Sequence, residues 1–209
     1  MLAPKLEQRG FEVWTFDTVG GFLAVVDTLR PSCILLDVDG GRRIDVILRL
    51  RERTGGWPII AVDAHPSVAT AVDAMRAGAV DFLEKAGDCA RLDLALLNAS
   101  VSLRHLLDEA RERQDALTRL ARLTPREKEV AASILSGLSN KRTAYLLGIS
   151  VRTVEMHRGH LMAKLAVRNM AEAGVLLAGI GFGEAREPTA ASTPARGERS
   201  ADGSLSVVA

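Results

Sequence analysis

Along the first hundred residues, short apolar runs alternate with amphipathic stretches. Phe11-Glu12-Val13-Trp14-Thr15-Phe16 places large apolar groups at every second position and predicts a strand. Residues 22–29 have a helical pattern. Cys33-Ile34-Leu35-Leu36-Asp37-Val38 is a continuous apolar run ending in acid, and Pro58-Ile59-Ile60-Ala61-Val62-Asp63 repeats that form. Such runs suit strands buried on both faces of a parallel sheet. Helical stretches follow at about 44–53 and 67–77, the second closed by Gly78, and residues 79–85 supply one more strand. The alternation predicts an open α/β sheet with right-handed crossovers.

From about Asp88 the pattern becomes one long helix, with Leu92, Leu96, Leu103, Leu106, Ala110, Leu117 and Leu120 at spacings of three, four and seven. It reads as a connecting helix, a short coiled-coil seam between protomers, both, or a helix packed only on its own domain. Beyond it the helix signals are sharp. Thr124-Pro125-Arg126-Glu127 is a capping box with Pro at the first helical position, and the helix it opens buries Val130, Ala131, Ile134 and Leu135 before Gly137. Ser139 caps 140–147, stopped by Gly148, and Ser150 caps 151–165, with Asn169 opening a fourth helix. Helix, glycine turn and capped helix form a helix-turn-helix. Residues 184–209 are rich in Ala, Ser, Pro, Gly and charge, which predicts a disordered tail.

Charge sharpens the division. The formal net charge is only +1, yet residues 1–121 carry 15 basic against 18 acidic side chains and residues 122–183 carry 9 against 4. A basic second module faces a polyanion. On the third helix Val154, Leu161 and Leu165 take the inner stripe. Glu155 and Met156 are expected near base edges, with Gly159 allowing close approach. Lys141, Arg142, Arg152, Thr153, Arg158 and Lys164 are expected along the phosphates, and Asn140 is a further candidate DNA-binding residue. His157 reads more readily as a packing or phosphate-contacting residue than as a base reader.

Other chemistries drop out. No apolar run reaches the roughly 18 residues of a membrane span, and the amino terminus lacks the apolar core of a signal peptide. Two cysteines give no disulfide framework, so a cytoplasmic location is expected, with Cys33 a core residue of its strand. His65, His105, His157 and His160 show no zinc spacing. Asp37, Asp39 and Asp63 match no dedicated metal loop, and no Walker loop or Ser/His/Asp arrangement is present, so no enzyme activity is expected.

The second module resembles the LuxR-type DNA-binding domain of FixJ/NarL-type response regulators. The resemblance is carried by Leu123-Thr124-Pro125-Arg126-Glu127-Lys128-Glu129-Val130, by Gly137-Leu138-Ser139-Asn140-Lys141, and by 147–158 from Leu147-Gly148-Ile149-Ser150 to His157-Arg158. Arg142 departs from it, standing where the family has an acid that completes a second capping box. The resemblance implies a four-helix domain that binds paired half-sites as a homodimer, with an activating surface for RNA polymerase. Residues 1–100 resemble the receiver domain of the same family, through Leu35-Leu36-Asp37-Val38 and Ala77-Gly78-Ala79-Val80-Asp81-Phe82-Leu83-Glu84-Lys85. It implies Asp37 as phosphoryl acceptor from a histidine kinase, Lys85 as phosphate partner, Phe82 as switch aromatic, and Mg2+ as the only cofactor, needed only by a working receiver. The implied domains are 1–103 receiver-like, 104–121 linker helix, 122–183 helix-turn-helix and 184–209 tail.

Several receiver residues depart from the pattern. The family's first strand, which ends in Mg2+-binding acids, is not found before Phe11, and residues 1–10 match the helix that follows it. Asp63 replaces a Thr or Ser that donates to the phosphoryl group, and an ionised Asp only accepts. Ala86 replaces a cis-proline, and Asp37-Val38-Asp39-Gly40-Gly41-Arg42-Arg43 lacks a Met-Pro-Gly turn. A start upstream of Met1 accounts for the first departure, and a degenerate, phosphate-independent receiver accounts for all of them. Without that first strand the next two must pair directly or leave edges that invite another chain. A non-DNA-binding adaptor that docks a protein through the receiver-like fold is the alternative function.

Overall fold

The computed structural model describes residues 2–183 and 202–208. They divide into two compact units: residues 1–108 with 195–209, and residues 109–194.

The first unit is a three-layer α/β/α sandwich. Its chain order is α1 (Ala3–Glu7), β1 (Val13–Thr18), α2 (Val19–Val25), β2 (Cys33–Asp37), α3 (Ile44–Thr54), β3 (Ile59–Asp63), α4 (Val68–Arg76), β4 (Asp81–Glu84) and the start of α5 (Cys89–Ala121). The strand predicted at 11–16 begins two residues later. Gly10 turns through φ +85°, and the Phe11 N–H bonds back to the Leu6 carbonyl at 3.3 Å, which commits Phe11 to closing α1. The helix predicted at 22–29 begins earlier, because the Thr18 hydroxyl caps it by accepting from the Gly21 N–H.

One sheet corrects the prediction twice. Its order is β1-β5-β2-β3-β4, where β5 is Asp202–Val208, part of the segment expected to be disordered. The rest of that segment, 184–201, lies outside the described residues. β5 runs antiparallel to both neighbours, so the sheet is mixed rather than parallel, and β1 neither pairs with β2 nor is left with a bare edge there. The reason is elementary. Two strand edges held apart leave backbone donors and acceptors that must be paired, and a strand of either direction can pair them. The strand's side chains also suit both layers: Leu205 and Val207 enter the layer under α2, α3 and α4, and Val208 enters the layer under α1 and α5.

The first layer is built on Phe22, Ile34, Leu36, Ile47, Leu50 and Ile59, all fully buried. The second uses Leu6, Leu35, Ile60, Leu92 and Ala95, and Cys33 lies in it as expected. Burial raises the Cys33 thiol to about 12, so it behaves as a small apolar side chain.

The second unit is a helical bundle of α6 (Pro125–Leu135), α7 (Asn140–Leu147), α8 (Val151–Leu165) and α9 (Met170–Gly179). Its core contains Leu123, Ala131, Leu161, Leu165, Ala173 and Leu177. α5 is one uninterrupted helix that passes from the first unit into the second.

Candidate nucleic-acid interface and receiver rim

The bundle presents α8 through three caps. Thr124 accepts from the Glu127 N–H while Glu127 Oε2 accepts from the Thr124 N–H at 2.8 Å, completing the capping box. Ser139 caps α7 at the Arg142 N–H, and with Arg in that place the reciprocal half of a second box is missing. Gly148 takes φ +64°, a left-handed turn that suits glycine, and Ser150 then caps α8 at the Thr153 N–H. Val154, Leu161 and Leu165 are fully buried, as the stripe predicts, so the opposite face of α8 looks outward.

On that outer side Lys141, Arg142, Arg152, Glu155, Met156 and Gly159 are exposed. A Cβ built on Gly159 meets nothing within 4 Å, so the bundle itself does not require glycine there. Four expected DNA contacts also make bonds inside the fold. Arg158 donates to Asn140 Oδ1 at 2.6 Å, joining α8 to the start of α7. Lys164 donates to Glu127 Oε2 at 2.7 Å, joining α8 to the start of α6. The Thr153 hydroxyl lies 2.7 Å from that of Ser150. His157 is half-buried. Sequence reasoning missed both interhelix locks, because partners 18 and 37 positions apart leave no periodic signal.

Glu127 is almost fully buried. Burial alone raises its carboxyl, but the Lys164 ammonium and the Thr124 donors outweigh that and hold it below its ordinary value of 4.5. A depressed folded value adds stability that is complete above the unfolded value and lost as pH falls through the folded one. Glu127→Gln keeps an acceptor for the Thr124 N–H but loses the ion pair. It is expected to cost the bundle about 1–2 kcal/mol at neutral pH. It should also flatten the loss of stability below pH 4.5, as read from urea unfolding across an acid series.

In the other unit, β2, β3 and β4 are parallel and bring Asp37, Asp63 and Lys85 to one rim. Lys85 Nζ donates to Asp37 Oδ2 at 2.5 Å, and the Asp39 N–H donates to Asp37 Oδ1 at 3.2 Å. Asp63 is buried. Its Oδ1 accepts from the His65 N–H at 3.1 Å, and its Oδ2 has no hydrogen-bond partner among the described residues. Phe82 packs, partly buried, against the core layer under α3 and α4. The described peptide bonds are all trans, that preceding Ala86 included. Asp17, Asp37, Lys85 and Ser206 line a cavity of about 380 Å3 at this rim.

A Mg2+ ion at this rim would draw on the carboxylates of Asp17 and Asp37, which line the cavity. Lys85 occupies one oxygen of Asp37 and His65 one oxygen of Asp63, and among the described residues no three acidic, histidine or cysteine side chains converge. The ion wants a near-octahedral oxygen shell.

Known proteins agree with both units. Residues 1–97 match the model of the response regulator receiver domain, and residues 121–177 match that of the bacterial regulatory proteins of the luxR family. The transcriptional regulatory protein FixJ of Bradyrhizobium diazoefficiens is 34% identical over 169 residues, covering 80% of this chain and 82% of its own. FixJ of Rhizobium meliloti is 33% identical, covering 87% and 90%. The C4-dicarboxylate transport transcriptional regulatory protein DctR of Rhodobacter capsulatus is 37% identical, covering 78% and 85%. Among solved structures, the response regulator StyR superposes with a TM-score of 0.59 at 35% identity, covering 85% of this chain and 90% of that one. This chain belongs to the two-component response regulators that join a receiver domain to a luxR-family DNA-binding domain, and it is a transcription regulator of the FixJ type.

Proposed function

We propose that this regulator binds duplex DNA by seating α8 in the major groove. The carrying observation is the outward face of α8, where Glu155 and Met156 stand exposed beside Gly159, whose missing side chain the bundle does not need. Glu155 and Met156 approach base edges. Lys141, Arg142 and Arg152 hold phosphates. Arg158 and Lys164 brace α8 and still have donors left for the backbone, with Asn140, Thr153 and His157 at the rim of the same surface. The domain limits we assign are 1–103, 104–121 and 122–183, with 202–208 belonging to the first.

Gly159→Ala separates this reading from a purely structural one. Alanine is the better helix former, so the bundle is expected to gain roughly 0.5–1 kcal/mol. Affinity for duplex DNA is expected to fall at least about tenfold, near 1.4 kcal/mol, because a methyl group holds the helix off the groove floor. Thermal melting and DNA titration on one preparation read both. Unchanged affinity would contradict the seating.

The receiver unit works without phosphate in this reading. A buried carboxylate at the rim accepts and cannot donate, and Asp37 already holds Lys85. Acetyl phosphate with Mg2+ is expected to leave the intact mass of the chain unchanged. A phosphoryl adduct abolished by Asp37→Asn would restore the histidine kinase as the input. Homodimerisation on DNA is supported by apolar side chains left exposed at helical spacing, Leu94, Leu97 and Val101 on α5. RNA polymerase is the further partner that this reading allows, for the case in which the regulator activates. The chain is read as cytoplasmic and non-enzymatic; among the described residues no helix is long and apolar enough to cross a membrane.

A further inference from the structure

The carboxyl end of α8 is closed from another helix. Its last residue, Leu165, is fully buried, and Ala166 follows at φ +56°, a left-handed conformation that a side chain with a Cβ disfavours. Such a turn persists only where its surroundings hold it. The next backbone donors reach past the final carbonyl: the Ala166 N–H bonds Ala163 O at 3.3 Å, and the Val167 N–H bonds Met162 O at 3.1 Å. Leu165 O accepts from Arg119 Nη1 at 3.3 Å. A guanidinium suits that place, where a helix collects unpaired carbonyls and the negative end of its dipole.

Arg119 belongs to α5 and is half-buried. Its neighbour Leu120 packs on the core of the bundle, and Ala116, one turn earlier, is buried. Arg113 lies one turn before Ala116 and makes the same kind of bond to α9, donating to Gly179 O at 3.3 Å. α8 is therefore held from three helices. α7 and α6 grip its side chains, through Asn140 on Arg158 and Glu127 on Lys164, whereas α5 grips its backbone. Backbone placement is what base reading needs. Glu155 and Met156 meet base edges only when the axis of α8 lies at one depth and angle, while a long cationic side chain follows a phosphate over a wider range.

We propose that Arg119 is a positioning residue for sequence reading, an assignment that rests on the groove reading of α8. The last turns of the linker helix are a working part of the DNA-binding unit, and they set α8 through its final carbonyl.

The test uses the full-length chain and two duplexes: the one that wild type selects most strongly from a random pool, and an unselected one of equal length. Well below melting, where all of the chain is folded, a side chain that only stabilises leaves both affinities unchanged. Arg119→Gln is expected to weaken binding of the selected duplex about tenfold, the scale of one lost base contact, and to leave the unselected one within about twofold. Arg119→Lys keeps a charged donor and should recover most of the loss. Arg113→Gln removes the equivalent bond to α9 and should change neither affinity. Unchanged binding by Arg119→Gln overturns the proposal. An equal loss on both duplexes, the mark of a phosphate contact, overturns it as well. So do an equal loss in Arg113→Gln, no recovery with Lys, or a Gln variant that does not fold, each of which makes Arg119 a general support of the bundle. The Lys141→Gln, Arg142→Gln, Arg152→Gln chain separates the two readings. If that chain binds weakly while Arg119→Gln binds as wild type, this assignment fails and the groove reading stands; if wild type selects no duplex, both fall.

Discussion

Val207→Asp is expected to unfold the receiver unit and leave the DNA-binding bundle folded. Val207 is fully buried in the layer under α2, α3 and α4, on a strand that belongs entirely to the receiver unit. The substitution removes about 1.5–3 kcal/mol of apolar burial. It also drives a carboxyl group without a partner into the core, at a further cost of several kcal/mol. Together these rival the 5–15 kcal/mol that holds an ordinary domain folded. The chain carries its own reporters, because its two tryptophans, Trp14 and Trp57, both lie in the receiver unit. Tryptophan emission should shift to the red while the helical circular dichroism of the bundle persists. Wild-type emission and melting in the variant would mean that β5 does not hold the sheet together.

That strand marks the limit of what the residues disclose in order. The bundle was legible almost to the residue, since Thr124, Ser139, Gly148 and Ser150 act within a turn of where they stand, and α8 spans 151–165 as its cap and stripe predict. The apolar runs at 33–38 and 58–63 were equally local signals. β5 was not legible. Its apolar signal is three side chains among Ser, Gly and Ala, and its reason to be a strand is a gap between β1 and β2, far upstream. The candidate interface was legible only in its exposed charges. Charge placed Lys141, Arg142 and Arg152 on the exposed surface, but nothing in the local pattern predicts that Arg158 and Lys164 also reach Asn140 and Glu127. Asp63 was read as a departure from the receiver pattern, whereas its burial with one oxygen unpartnered emerges only from the packing of β3 between β2 and β4.

The second large effect concerns DNA. Lys141, Arg142 and Arg152 are exposed, and no ion pair to them is seen among the described residues, so replacing them with Gln leaves the bundle's internal locks intact. Each phosphate contact releases counterion and contributes about 0.9 to the slope of log affinity against log salt. Losing three per protomer should lower that slope by roughly 2.7 and weaken binding at physiological salt on the order of a hundredfold per protomer. The loss should be uniform across sequences, as expected for groups that touch backbone rather than base edges. Arg158 and Lys164 are left in place, so a folding defect is not mistaken for a lost contact.

The most direct measurement is therefore the salt dependence of duplex binding for the wild-type chain and for the Lys141→Gln, Arg142→Gln, Arg152→Gln variant, with melting of both recorded alongside. A steep wild-type slope that falls by nearly three per protomer, at unchanged melting temperature, is the predicted result. Equal slopes and equal affinities would contradict the seating of α8 on DNA.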